Sequence, residues 1–416
     1  MRRGGRSRSN SLPSNTFQRS RRTRRDETGD RTRWIEIHEH ALFSVGMNGG
    51  SGTIVPVTLR DVLTGAVVMG PMTKGSNLPY RRLATELGAR VTMSEMAVAR
   101  RLKQKRRSEF ALIRRAPGEP FFGVQLAGTN AEEMAWAAAL VEARGADFVD
   151  VNLGCPIDHF TRKGLGAALA RQPARVQRIV SAMKGAVTRI PVTVKIRLGW
   201  NDRMRNYLEV ARAAVDGGAD AIIVHGRTRQ SRYRQAAEWD AIGEVATAVP
   251  VPVVGNGDLL FPHEIEDAMR RWGCAGVMVA RAALIKPWLF REVHEGYLDV
   301  TGEARLAIYR RYVELAFEHW GDDEHGTTRV RDFVTWHLGF WCRYARRRAD
   351  GSWPSMQTRE ASPLVHTPLE ALLARTDADA HAWLAGRLVA KDPIEPGDAP
   401  SAPTTGGDGD FVEAEG

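Results

Sequence analysis

Between residues 66 and 280, short apolar runs of strand length alternate with longer stretches of helical period, a pattern that restricts the chain to an α/β fold with a parallel sheet. Eight runs qualify as strands: 66–69, 89–93, 121–126, 147–153, 192–197, 221–224, 251–254 and 276–280. Helical segments such as 131–142 and 207–215 separate them. Eight consecutive βα units make one (β/α)8 TIM barrel. A doubly wound open sheet is the runner-up, but no GxGxxG follows the first strand.

The strand pattern stops near Thr301. Residues 303–348 and 368–389 read as amphipathic helices, so a C-terminal helical domain is expected after the barrel. Residues 1–33 hold eleven arginines against Asp26, Glu27 and Asp30, with little to bury, and residues 392–416 carry seven acids and no base. The expected organisation is therefore a disordered basic arm (1–50), a catalytic barrel (51–300), a helical domain (301–391) and a disordered acidic tail (392–416). Met47 is an alternative start that would remove the arm. The net charge of +10 becomes about +9 on residues 34–391 once both ends are subtracted, which suits an anionic partner such as RNA or is simple solubilising charge.

No apolar run approaches the roughly 20 residues of a membrane span, and the arginines at the N-terminus precede no apolar signal block. Cys155, Cys274 and Cys342 are odd in number and widely spaced, against a disulfide framework or a CxxC zinc site. A soluble cytoplasmic protein without metal is expected.

Barrel chemistry sits where strands end. The polar residues there are Glu95, Gln125, Asn152, Lys195, Arg197, His225 and Asn256, with Cys155 just past the fourth strand in VDVNLGCPIDHF. Each alone reads equally as a loop cap or a satisfied core group. Lys195, inside the apolar run VTVKIRLG, is costly in a barrel without an anionic or electron-accepting ligand. The segments NGDLL (256–260) and ARAALIKPWLF (280–290) follow the last two strands, where this fold commonly holds phosphate; Gly257 lets backbone amides approach an anion and Arg281 can pair with it, though turn chemistry is an equal reading.

Taken in order, GPMTKGSNLPYRRLATELGA, VTMSEMA, GVQLAG, DVNLGCP followed by KGLGAAL, VTVKIRLGW, VHGRTRQSRY, VVGNGD and VARAALIKPWLF resemble the tRNA-dihydrouridine synthases, with a weaker match, RVRDFVTWHLGFWCRY, in the helical region. The SEMAV and ALIKPWLF wording is most similar to the branch acting in the variable loop of eukaryotic tRNA. The resemblance implies FMN-dependent reduction of the uracil 5,6 double bond in tRNA, with NADPH as electron donor. It implies that Cys155 protonates C5; a thiol with a reference pKa of about 8.5 is mostly protonated at neutral pH. It implies that Pro71, Met72 and Thr73 lie against the flavin ring, that Gln125 bonds its pyrimidine edge, and that Lys195 and His225 contact it. Asn256, Gly257, Asp258, Ala280 and Arg281 would hold the ribityl chain and phosphate. Ala280 stands where the family more often has glycine.

Asn152 and Arg197 are the candidates for holding the target uracil. Gly154 and Pro156 turn the chain, and Gly164 and Gly166 are expected to make the cysteine loop mobile. Two basic clusters are candidate tRNA contacts: residues 100–115, including Arg100 and Arg101, expected on the active face, and a second cluster of Arg329, Arg331, Arg343, Arg346, Arg347 and Arg348. Two other readings compete: a flavin barrel acting on a small pyrimidine, and a non-catalytic tRNA-binding protein that has lost its flavin.

Overall fold

The computed structural model describes residues 58–357 and 364–402. The expected basic arm and residues 403–416 of the expected acidic tail lie outside the described residues.

Nine strands run in chain order: β1 (Val67–Met69), β2 (Val91–Met93), β3 (Ala97–Val98), β4 (Phe121–Ala127), β5 (Phe148–Leu153), β6 (Val192–Arg197), β7 (Ala221–His225), β8 (Val253–Asn256) and β9 (Gly276–Val279). All pairings are parallel; β1 bonds β9 on one side and β2 on the other, and β2 bonds β4, closing an eight-stranded barrel with helices between the strands. β3 is an extra two-residue piece against the end of β4. It exists because Ser94 interrupts the second strand: its Oγ accepts from Gln125 N (3.1 Å) and donates to Glu95 O (2.8 Å). The expected strand 251–254 starts later and runs further, since Pro252 has no N–H to give a ladder.

The barrel interior is divided along its axis. Val68, Val91, Met93, Phe148, Ile223, Val254 and Met278 fill one part with apolar side chains, joined by Val62 and Leu63 of the short helix Leu59–Leu63. Phe148 lies so close over Gly123 that a Cβ there would come within 2.1 Å of the ring. Toward the strand C-termini the lining changes to Gln125, Asp150, Asn152, Lys195 and Arg197, so chemistry is confined to one mouth.

Helices Gly302–Trp320, Glu324–Trp341, Pro368–Leu373 and Ala378–Ala390 make up the helical region. It shares a continuous core with the barrel wall: Tyr80, on the helix Leu78–Glu86 after β1, meets Tyr312 and Phe333 at ring separations of 5.8 Å. Tyr80 Oη donates to Ala283 O (2.7 Å), beside Arg281, and His337 lies 3.1 Å from that hydroxyl through Nε2 and 3.0 Å from Tyr309 Oη through Nδ1. Burial drives His337 to about 3, so the ring is a neutral structural link. Each such buried aromatic contributes about 2 kcal/mol of apolar burial.

The expectation of disorder from residue 392 fails for its first part. Ile394 is buried, Pro396–Asp398 forms a turn of 3-10 helix, and Arg387 bridges Asp392 and Asp398, because Ile394 gives this acidic stretch an apolar anchor.

Candidate active site

One cavity at the C-terminal mouth collects ten of the residues singled out in the sequence. Pro71, Met72 and Thr73 follow β1; Lys195 stands on β6, His225 at the end of β7, and Asn256, Gly257 and Asp258 at the end of β8; Ala280 and Arg281 follow β9. Gly257 has φ +143, and a Cβ on it would approach Ala237 Cβ to 2.4 Å, so glycine is required there on both counts.

Lys195 Nζ donates to Asn256 Oδ1 (3.0 Å), while Asn256 Nδ2 donates to Met278 O (2.8 Å) and fixes the amide. Burial, then the nearby Arg197, pulls the ammonium down to about 7, with Asp150 opposing. Burial raises Asp150 to about 6 against hydrogen bonds from Gln125 and Thr193 and the charge of Lys195. Burial, reinforced by Arg197, Lys195, Arg227 and Arg281, holds His225 well below the usual histidine range. Its Nε2 lies 3.2 Å from Arg227 Nη1, and because a guanidinium only donates, that nitrogen is the acceptor and the ring proton sits on Nδ1.

Asp258 organises the far corner. Its Oδ1 accepts from Arg281 Nη2 (2.9 Å) and Gln357 Nε2 (2.8 Å); its Oδ2 accepts from Arg227 and from Ala237 N (2.8 Å). Burial alone would raise this carboxyl, but the two guanidiniums hold it below its usual range. The Tyr233 ring lies among three arginines, 4.1 Å from the Arg281 guanidinium carbon, 5.7 Å from that of Arg227 and 5.9 Å from that of Arg197.

Cys155, Asn152, Arg197 and Gln125 do not line this cavity. They form an adjoining network on β4, β5 and β6. Gln125 Nε2 donates to Asp150 (2.8 Å), and its Oε1 accepts from Asn152 Nδ2 (2.7 Å). Asn152 Oδ1 then accepts from Gly154 N (3.2 Å) and Cys155 N (2.9 Å). Arg197 donates to Gly154 O (2.8 Å) and Thr228 O (3.2 Å). Ala167 N donates to Cys155 O (3.1 Å), and Arg229 to Pro156 O (3.2 Å). Thus the carbonyls before, at and after the cysteine are all taken. Hydrogen bonds fix the backbone of residues 154–156 on both sides. Gly164 and Gly166 have φ of +77 and +60, and a Cβ on Gly166 would come within 2.8 Å of Cys155 Cβ, so these glycines serve a fixed close approach. Asn152 thus ties Gln125 to the backbone of Gly154 and Cys155, and Arg197 ties Gly154 O to Thr228 O.

None of Arg100, Arg101 and Arg343 lines the cavity. Arg100 is exposed, Arg101 pairs with Glu109 (3.0 Å), and Arg343 is half-buried after the helix Glu324–Trp341. Two cluster members depart from expectation. Arg115 binds Asp147 and the carbonyls of Gly145 and Glu119, at the opposite end of the barrel from the mouth. Arg346 is buried between Glu370 and Asp299 and is spent on them.

Sequence reasoning passed over Arg227, Arg229 and Tyr233, although RTRQSRY packs three cations after a strand end, a usable signal. Nothing local pointed to Met356, which lines the cavity, or to Gln357. Among the described residues no group of three or more His, Cys, Asp or Glu could hold a metal ion, and no helix is long and apolar enough to cross a membrane.

Residues 67–328 match the family model described as Dihydrouridine synthase (Dus). The chain is 41% identical over 285 residues to a mouse protein named tRNA-dihydrouridine(47) synthase [NAD(P)(+)]-like, covering 68% of this chain and 44% of that one. A Cryptococcus neoformans protein named tRNA-dihydrouridine(47) synthase [NAD(P)(+)] is 39% identical over 297 residues, covering 67% and 41%. The chain thus spans less than half the length of these relatives. With the family model covering more than half of the sequence, the chain belongs to the dihydrouridine synthase family.

Proposed function

We propose that this protein reduces the C5–C6 double bond of a uridine in tRNA, using FMN bound in the cavity and NADPH as electron donor, in the cytoplasm. The relatives' names specify dihydrouridine at tRNA position 47, and the same position is proposed here.

The residues present fit a flavin. Met72, Met278, Leu259 and Leu284 give an apolar wall for a planar ring, Gly257 tolerates no side chain where a close approach is needed, and two arginines share one carboxylate at the corner suited to a phosphate. When bound, FMN supplies the hydride that adds to C6 of the uracil. Lys195, poised near neutrality, would give its ammonium to negative charge developing on the cofactor's pyrimidine edge, and Gln125, in the adjoining network, would hold Asp150 and Asn152 beside it. His225 is neutral and contributes its Nδ1–H as a donor. Cys155 transfers its thiol proton to C5 as the double bond becomes single, and solvent returns a proton to the sulfur. The exposed Arg100 together with Arg101 and Arg343 contacts tRNA phosphates.

The observation that carries this reading is the cysteine fixed by Asn152, Arg197, Ala167 and Arg229 at the mouth that also gathers the cavity residues; a non-catalytic RNA-binding protein has no use for such a constraint. The purified protein is expected to be yellow with flavin absorbance. Cys155→Ala is expected to keep that flavin and lose about 100-fold or more of dihydrouridine formation on unmodified tRNA transcript. Unchanged turnover in this variant would remove the acid assignment, and a wild-type protein that takes up no FMN would remove the flavin.

A further inference from the structure

We propose that Met356 and Gln357, carried back from the helical region, belong to the binding site of the cofactor's phosphate end, with Trp353 as their anchor. This rests on the flavin reading above. The three residues lie beyond the stretch matched by the family model, which ends at residue 328.

After the helix Glu324–Trp341 the chain returns toward the barrel. Trp353 seats this return: its ring centroid lies 4.7 Å from those of Phe261 and His263 and 5.1 Å from that of Tyr297, and the Arg347 guanidinium stands 4.9 Å over it. Phe261 and His263 belong to the segment that follows Asp258, so the anchor grips the β8 loop itself. Pro354 is buried and stiffens the next step, and Met356, 6% exposed, forms part of the cavity wall.

Gln357 completes the shell around Asp258. Oδ1 of that carboxylate accepts from both Gln357 and Arg281. An anion that draws the Arg281 guanidinium toward itself takes a donor from Oδ1, and an under-bonded carboxylate in a half-closed site is costly. Gln357 keeps this oxygen hydrogen-bonded, so Arg281 can turn to a phosphate without that penalty. A neutral amide suits the task. A carboxylate at 357 would repel Asp258, and an ammonium would compete with Arg281 for it. The helical region therefore contributes to cofactor retention as well as to the outer surface.

The test uses the full chain loaded with FMN, following flavin release after dilution by the recovery of free-flavin fluorescence. Gln357→Met keeps the length and removes the donor; Trp353→Ala removes the anchor without touching the cavity. Gln357→Met is expected to release FMN about 5- to 10-fold faster, with the apoprotein melting as wild type does, and Trp353→Ala at least as fast. Should Trp353→Ala fail to fold, Gln357→Met decides alone. Release from Gln357→Met at the wild-type rate overturns the proposal while leaving the flavin reading intact, whereas a wild-type chain that binds no FMN brings down both.

Discussion

The cysteine loop and the Asp258 corner are each held by two arginines, yet the acceptors differ in kind. At the loop these are Arg197 on β6 and Arg229 after the adjacent β7; at the corner they are Arg227 after β7 and Arg281 after β9, either side of β8. At the corner, Arg227 and Arg281 converge on one carboxylate, so two positive charges are answered by one negative. At the loop, Arg197 and Arg229 donate to the neutral carbonyls of Gly154 and Pro156, and only Arg229 also meets an acid, Asp158. A carboxylate anchors guanidiniums by charge and lets them be shared with an arriving anion. Carbonyls anchor by direction alone, so the guanidinium keeps its charge beside the thiol and the backbone gains a fixed shape. One corner is built to exchange partners, the other to stay still.

The largest break in this contrast comes from Arg197→Ala. It removes the donor to Gly154 O and Thr228 O and a charge next to Lys195, so turnover is expected to fall about 100-fold with FMN retained. A second readout separates this from mere loosening. Burial and then Arg197 hold Lys195 near 7; without the like charge the protonated ammonium is favoured, so the pH limb due to Lys195 moves upward. Arg197→Lys should return that limb toward its original position while recovering little of the rate, since an ammonium lacks the two-carbonyl reach. An unmoved limb in Arg197→Ala would deny the charge coupling.

Asp258→Asn tests the other half. With the carboxylate gone, Arg227 and Arg281 repel each other unanswered, and FMN affinity is expected to drop about 10- to 30-fold while Cys155 chemistry in the FMN-saturated protein changes little. Equal losses in affinity and in saturated turnover would mean that the two regions are not independent.

How much of this was legible in sequence follows the range of the interactions. β6 appears at 192–197 as expected, because Val192, Val194 and Ile196 alternate with Thr193, Lys195 and Arg197 at strand period. The break between β2 and β3 depends on Ser94 bonding a backbone amide 31 residues away, which no local pattern records. Strand-end position alone placed Lys195, His225 and Asn256 together. The destinations of the Arg197 and Asn152 side chains were not legible, since Arg197 donates to Gly154 O and Asn152 Oδ1 accepts from Gly154 N and Cys155 N, backbone groups of a loop whose path depends on Gly166. Gln357 meets Asp258 across 99 residues, and no spacing rule reaches that far.

The smallest effect refines the claim that the loop stays still. Arg229 donates to Pro156 O, pairs with Asp158 and lies 4.5 Å from the ring of Trp200, which Arg171 approaches from 5.1 Å. Its partner Asp158 is half exposed, so solvent screens the pair and little global stability depends on it. What depends on it is the path of residues 156–158. Arg229→Ala should therefore slow turnover about fivefold, leave FMN binding and melting temperature unchanged, and raise the rate at which iodoacetamide alkylates Cys155 by a similar factor. Asp158→Asn should give a weaker version of the same pattern, because the bond to Pro156 O survives. Faster alkylation with undiminished turnover would show that the loop tolerates motion, and the distinction between a still region and an exchanging one would then rest on Arg197 alone.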